Sequence, residues 1–212
     1  MNRRLFACCS AVLLSASLIV APAVSAQTVE APDVVVKRLS TELLDTVRND
    51  PQLKSGDPEK VMVVVNDKVI PHINFQRMTA STVGRPWRQA TPEQRQKLQD
   101  EFKNLLVRTY AGALKHVNNQ TLMVRPLRAS ASDTEVVVNS ELQGGSGGPV
   151  QLDYRMQLMG NVWKVYDINV MGVWMADSYR SQFAPVLNDS GIDGLIRQLQ
   201  DLARQRSGQS AS

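Results

Sequence analysis

The chain is poor in cysteine, histidine and aromatic residues. Its two cysteines are adjacent, at Cys8 and Cys9, and two histidines occur among 212 residues. Because no cysteine follows position 9, a domain built from the rest of the chain has no disulfide and depends on its apolar core. His72 and His116 stand far apart with no cluster of ligand residues beside them, so no metal site is predicted. The serines are scattered and form no nucleophile motif.

A strong excess of charge of either sign is also missing. If Arg3 and Arg4 are removed with an N-terminal signal, 22 basic and 20 acidic residues remain, a net charge of +2. Nucleic-acid binding generally needs a concentrated basic stripe, so this balance does not predict it.

Long hydrophobic runs are confined to the N-terminus. Arg3 and Arg4 precede the apolar run from Leu5 to Val20, and small residues follow at positions 24–26, which is typical of a secretory signal peptide. The arginine pair is also compatible with a twin-arginine signal. We expect a signal peptide at 1–26, a single domain at 27–203 and a polar, disordered tail at 204–212. No later run is long enough to span a bilayer, and the expected location is the periplasm.

Apolar residues three or four positions apart predict helices in the first half of the mature chain. A first helix begins near Pro32, a second begins at Asp57-Pro58, and a short third is capped by Asn74. The run from Val61 to Val65 favours a strand by propensity, but the preceding cap favours a helix. Thr91-Pro92-Glu93-Gln94 forms a capping box that begins a long helix ending near Asn118.

Alternating apolar and polar residues predict four strands in the second half. Their approximate bounds are Thr121 to Arg128, Thr134 to Leu142, Val150 to Met159 and Val162 to Val173, and helices follow at Met175 to Leu187 and Ile192 to Ala203. Even-numbered residues form the apolar face, which in the fourth strand includes Val162, Tyr166, Ile168 and Val170. The expected fold is α+β: a curved, four-stranded antiparallel meander, with a long helix and several shorter helices, encloses an apolar cavity.

The residues predicted to line this cavity face inwards by the same periodicity. They are Leu106, Tyr110, Leu114, Val138, Leu152, Tyr154, Met156, Ile168, Val170, Tyr179 and Phe183. Periodicity places a side chain inside without distinguishing a lined cavity from a solid core, so both interpretations remain open for each residue. Tyr110 and Tyr179 could place hydroxyl groups near the mouth, and Arg180 could meet a phosphate or remain solvated.

Several motifs in a fixed order resemble the MlaC family of toluene-tolerance proteins, over about Ala31 to Leu202. The matching segments are Arg88 to Arg95, Tyr110-Ala111, Trp163 to Asp167, Gly172-Val173, Tyr179 to Phe183 and Gly191 to Ile196. The chain departs from the family pattern at Trp174, where a small polar residue commonly follows the Gly-Val pair. This substitution bears on the shape of the cavity mouth.

The resemblance implies a soluble periplasmic carrier that holds a glycerophospholipid by its acyl chains. Such proteins exchange lipid between an outer-membrane lipoprotein–porin complex and an inner-membrane ABC transporter with its substrate-binding subunit, and so maintain outer-membrane lipid asymmetry. Burying two long acyl chains is worth on the order of 20 kcal/mol. A rigid, dry void on the order of 1,000 Å³ would cost more than the roughly 5–15 kcal/mol that stabilises a domain. We therefore expect either bound lipid or a collapsed pocket.

Two other function classes remain. A curved sheet with a helical lid could be a small-molecule enzyme that uses an acid inside an apolar cone, and Asp153 and Asp167 are the candidate acids. Both fall on the odd-numbered, outward-facing positions unless a bulge shifts one of them. A periplasmic chaperone or adaptor that binds peptides in the same groove is the third class.

Overall fold

The structure is a computed structural model, and it describes residues 29–127, 130, 132–145 and 147–209, with side chains to residue 205. The predicted signal peptide therefore lies outside the described residues. Within them, no helix is long and apolar enough to cross a membrane.

Helices occupy both ends of the described part of the chain, and a sheet lies between them. The helices are α1 (Pro32–Asn49), α2 (Pro51–Lys54), α3 (Pro58–Val64), α4 (Phe75–Val83), α5 (Pro92–Tyr110) and α6 (Met175–Gln209). A π-helix at Val65–Val69 and 3₁₀ turns at Ile70–His72, Arg85–Gln89 and Ala111–His116 connect them. The strands are β1 (Thr121–Val124), β2 (Glu135–Gln143), β3 (Val150–Met159), β4 (Val162–Val170) and β5 (Val173–Trp174).

The helix starts follow the predicted capping signals. The Asp57 carboxylate accepts the first backbone N–H groups of α3, and Thr91 and Gln94 form the predicted capping box of α5. The valine run is helical, as the cap indicated, but it then widens into the π-helix, where the Ile70 N–H bonds to the Val65 carbonyl. The long helix is α-helical only to Tyr110 and tightens into a 3₁₀ turn beyond it. α6 contains a kink at Gly191, whose φ is 63°, and extends to Gln209, into the predicted tail.

The α+β class is confirmed, but the count of four strands was wrong. The sheet has five antiparallel strands in the order β1-β2-β3-β4-β5, and it is open. The predicted fourth strand is interrupted by a turn at Met171 and Gly172, both with positive φ, and β5 follows as a two-residue edge strand. Positive φ is costly for a residue with a β-carbon, which explains why a continuous strand cannot pass through Met171.

A bulge in β4 changes which side chains face the core. Arg155 of β3 pairs with Asp167, but its neighbour Met156 pairs with Val165, so Tyr166 is the extra residue. Before the bulge, the odd-numbered Trp163 and Val165 are buried beside α1. After the bulge, the even-numbered residues lie on that same face of the sheet. The prediction that Val162 and Tyr166 face inwards was therefore wrong.

The apolar residues that the structure describes form three clusters instead of one core. The first lies between α4, α5 and α6 and is centred on Phe102. The second lies between α1 and one face of the sheet, around Val138 and Met156. The third joins the end of α1 to α3 and the C-terminal part of α5, around Leu53 and Val107.

A polar connection holds α4 against the sheet. The Arg77 guanidinium donates two hydrogen bonds to the Glu135 carboxylate, at 2.7 and 3.0 Å, and lies 3.6 Å from the centre of the Tyr166 ring. The Tyr166 hydroxyl donates to the same carboxylate. The hydrogen bonds from Arg77 lower the pKa of Glu135 below its usual value of 4.5.

We predict that Glu135→Gln destabilises the fold at neutral pH but not in acid. Because the folded-state pKa is lowered, the ionised carboxylate stabilises the fold above the unfolded pKa, and this contribution is lost as the pH falls through the folded pKa. We expect a loss of about 0.5–1 kcal/mol at pH 7, since the pair is partly exposed but bidentate. Urea unfolding of both proteins at pH 7 and pH 3 measures this difference. An equal difference at both pH values would contradict the prediction.

Candidate functional site

An apolar groove lies where the three clusters approach one another without merging. Its volume is about 330 Å³. The lining residues are Val61, Val65, Val69, Ile70, Ile73, Phe75, Met78, Lys103, Leu106, Val107, Tyr110, Ala111, Leu114, Ile168, Val170 and Met175. Apart from Tyr110 and Lys103, every side chain in this lining is purely hydrocarbon or thioether, so the groove is suited to an apolar ligand.

Two helical walls face each other across the groove. On one wall Val61, Val65 and Val69 are spaced by four residues and share one face of α3 and the π-helix that continues it. On the other wall the spacing of Lys103, Leu106 and Tyr110 places them on one stripe of α5. The sheet contributes only the end of β4, in contrast to the prediction of a cavity lined mainly by the sheet.

The groove opens to the surface beside Tyr110 and Val170. Both residues line it, yet Tyr110 is 49% exposed and Val170 is 38% exposed. Val173 of β5 pairs with Val170 across the strands, and both Val173 and Met171 between them are exposed. These apolar side chains therefore extend the groove outwards at its mouth.

The structure brings five of the eleven sequence-predicted residues together in the groove. These five are Leu106, Tyr110, Leu114, Ile168 and Val170. Val138 and Met156 lie instead in the cluster beneath α1, and Tyr179 and Phe183 lie in the helical cluster, where Tyr179 contacts the Phe102 ring edge to face at 5.0 Å.

Leu152 and Tyr154 are also outside the lining. Leu152 is half-buried in β3 between its strand partners Ser140 and Val170. The Tyr154 hydroxyl lies beside the side chains of Ser40 and Ser140, and burial raises its pKa. For all six residues outside the groove, contact with a ligand remains only a prediction.

Sequence reasoning missed most of the wall opposite α5. The signal was present, because the spacing of four residues continues from Val61 through Val65 to Val69. We predicted a helix over this segment with Pro71 near its end, but we included none of its residues in the predicted lining. A lysine on an amphipathic helix is expected on the solvated face, but Lys103 lies three positions before Leu106 and seven before Tyr110, on the stripe that faces the groove.

Trp174 and Arg180 do not line the groove. The Trp174 ring stacks against the Arg155 guanidinium at 3.8 Å, next to β4 on the opposite face of the sheet. Arg180 donates to the Ser81 carbonyl and pairs with Asp177 at 3.1 Å. We expected Trp174 to affect the shape of the cavity mouth, but its contacts do not place it there.

The two candidate acids also lie away from the groove, on the other face of the sheet. Asp167 is 1% exposed, and its carboxylate accepts hydrogen bonds from Arg155 and from the backbone N–H groups of Ile168 and Ala176, at 2.9–3.0 Å. Burial raises the pKa of Asp167 although these donors favour its ionised form. Its contacts attach the first turn of α6 to β4, which is a structural function.

The two histidines lie in different parts of the fold. His72 lies near α1, where burial and the charge of Arg38 lower its pKa. His116 borders a different depression, beside the glycine-rich β2–β3 connection. Among the described residues no group of three or more His, Cys, Asp or Glu side chains could hold a metal ion.

Comparisons with known proteins converge on one family. A family model described as MlaC protein matches residues 37–201. The toluene tolerance protein ttg2D of Pseudomonas putida is 30% identical over 171 residues, which cover 80% of this chain and 78% of that protein. The intermembrane phospholipid transport system binding protein MlaC of Haemophilus influenzae is 25% identical over 178 residues, with 82% and 83% covered.

A solved structure is similar over almost its whole length. It is the phospholipid-binding protein from Ralstonia solanacearum in complex with a phospholipid, with 45% sequence identity and a TM-score of 0.80. The alignment covers 84% of this chain and 99% of that one.

Substitution of Met156 tests whether this residue is packed in a solid cluster or lines an open groove. It is fully buried, so Met156→Ala removes packed atoms and should destabilise the fold by about 2–5 kcal/mol in urea unfolding. Met159→Ala, in the same strand but 44% exposed, is the matched control and should change stability by less than about 0.5 kcal/mol. Equal effects of the two substitutions would argue against the solid packing seen at Met156.

Proposed function

The chain belongs to the MlaC family, and on that basis we propose that it is a phospholipid-binding protein whose groove holds acyl chains. The observation that carries this proposal is a groove with apolar walls that opens at the surface beside Tyr110 and Val170. A lipid can enter such a site with its chains first and leave its polar head in water.

The free energy of transfer supports this assignment over a polar substrate. Each methylene group removed from water contributes roughly 0.8 kcal/mol, and the walls are hydrocarbon or thioether apart from Lys103 and Tyr110. The groove has about 330 Å³, well below the void on the order of 1,000 Å³ considered for two chains. Full burial of a diacyl lipid therefore requires the walls to separate further, and the irregular π-helix at Val65–Val69 is the wall segment with the least regular hydrogen bonding.

We further propose that the protein acts as a periplasmic carrier. It would exchange lipid between an outer-membrane lipoprotein–porin complex and an inner-membrane ABC transporter with its substrate-binding subunit, and so maintain lipid asymmetry of the outer membrane. The name of the Haemophilus influenzae relative, which refers to intermembrane phospholipid transport, and the signal-like pattern at residues 1–26 support this proposal.

We predict that lipid uptake depends on the groove mouth. Organic extracts of freshly purified protein should contain glycerophospholipid in near-stoichiometric amount, measured by mass spectrometry. Val170→Trp places an indole ring in the mouth and should reduce the extracted lipid several-fold. A folded wild-type protein that neither contains lipid nor takes it up from vesicles would contradict the proposed function.

Val162→Trp is the matched control for this substitution. Val162 lies in the same strand with 50% exposure, but outside the groove. The lipid content of this variant should equal that of the wild type. If both tryptophan variants lose lipid equally, the entry route beside Val170 is wrong.

The carrier proposal also predicts where membrane complexes dock. An acyl chain that leaves the groove should not cross open water, so the partner must cover the mouth. A photo-crosslinking residue at Met171, beside the mouth, should capture envelope membrane proteins in living cells. Met123, similarly exposed but on β1 at the far edge of the sheet, should not. Crosslinks at Met123 alone would contradict docking at the mouth.

A further inference from the structure

Lys103 is the one charged residue in the lining of the groove, among the residues that the structure describes. It lies on α5, three and seven positions before Leu106 and Tyr110, and therefore on the stripe that faces the acyl-chain site. By the rise of an α-helix, its Cα is about 10 Å along the axis from that of Tyr110. A lysine in an apolar wall requires an explanation, because its ammonium must remain hydrated or find a partner.

The ammonium has one neutral partner. Lys103 Nζ donates to Asn66 Oδ1 at 2.9 Å, across the groove edge between α5 and the π-helix. An ammonium group has three donors, so this bond leaves two that can serve a ligand. Asn66 is exposed, which places the pair at the boundary between the apolar walls and water.

No carboxylate in the described part of the chain lies within ion-pair distance of this ammonium. The nearest acidic residues on α5 have other partners: Asp100 accepts from the Gln96 amide, and Glu101 accepts from the amide of Gln200. Lys103 therefore has no direct ion-pair partner beside an apolar surface. This combination is complementary to an amphiphile that has an anionic group next to its chains.

We infer that Lys103 Nζ binds the phosphate of the lipid whose chains occupy the groove, with Asn66 holding the ammonium in place; this inference rests on the proposed function. A lysine binds phosphate as a point charge with several donors. The phosphate is common to all glycerophospholipids and absent from diacylglycerol. Lys103 thus selects phospholipids over uncharged lipids without distinguishing among head groups.

The experiment compares two lipids with identical acyl chains. The mature protein is mixed with equal amounts of phosphatidylglycerol and diacylglycerol in mixed detergent micelles, re-isolated, and analysed by mass spectrometry for the ratio of the two bound lipids. Lys103→Met should lower the ratio of phosphatidylglycerol to diacylglycerol about tenfold, the change expected on losing one hydrogen bond to a charged group. Lys103→Arg, which keeps the charge, should stay within about twofold of the wild type.

Lys97→Met is the control on the same helix. Lys97 is exposed, does not line the groove, and should leave the ratio unchanged. An unchanged ratio in Lys103→Met, or an equal loss of both lipids, would overturn the phosphate contact while leaving the carrier proposal intact. Failure of the wild type to take up either lipid would instead overturn the proposed function itself.

Discussion

The position of the groove depends on which face of β4 each side chain occupies, and the bulge at Tyr166 determines this. Without the extra residue, one strand could not bury Trp163 and Val165 beneath α1 and also place Ile168 and Val170 on that same face. The bulge reverses the parity between these two pairs. It thereby lets β4 complete one apolar cluster with its first half and close the groove with its second half.

The separation of the three apolar clusters explains how a small domain can keep such a groove. Each cluster buries its own side chains, so the groove removes contacts only where the clusters would otherwise meet. A closed, dry void of about 330 Å³ would cost about 8 kcal/mol, comparable to the whole stability of a typical domain. The groove opens to water beside Tyr110, which reduces this cost. Occupation by hydrocarbon would restore the missing contacts.

The sequence contained strong local signals for part of this structure. The capping box at Thr91 and the strict alternation in β3 each depend on neighbouring residues, and both were predicted correctly. β4 is different, because Val162, Trp163, Val165 and Tyr166 are apolar in both phases. Alternation then cannot decide which face is buried. The choice depends on pairing with β3 and on packing against α1, which are contacts between distant parts of the chain.

The candidate site was only partly predictable for a related reason. Periodicity identified a stripe with Leu106 and Tyr110 on α5 and Leu114 in the turn after it. It could not distinguish this stripe from Met156 or Phe183, which are equally apolar and lie in solid clusters. Lys103, the charged residue on this stripe, is more informative about the ligand than its apolar neighbours are. Apolar burial is non-directional, so hydrocarbon walls alone do not fix where a lipid stops along the groove. A point charge at the groove edge can fix that position, and Lys103, which donates to the exposed Asn66, is a charged residue at that edge.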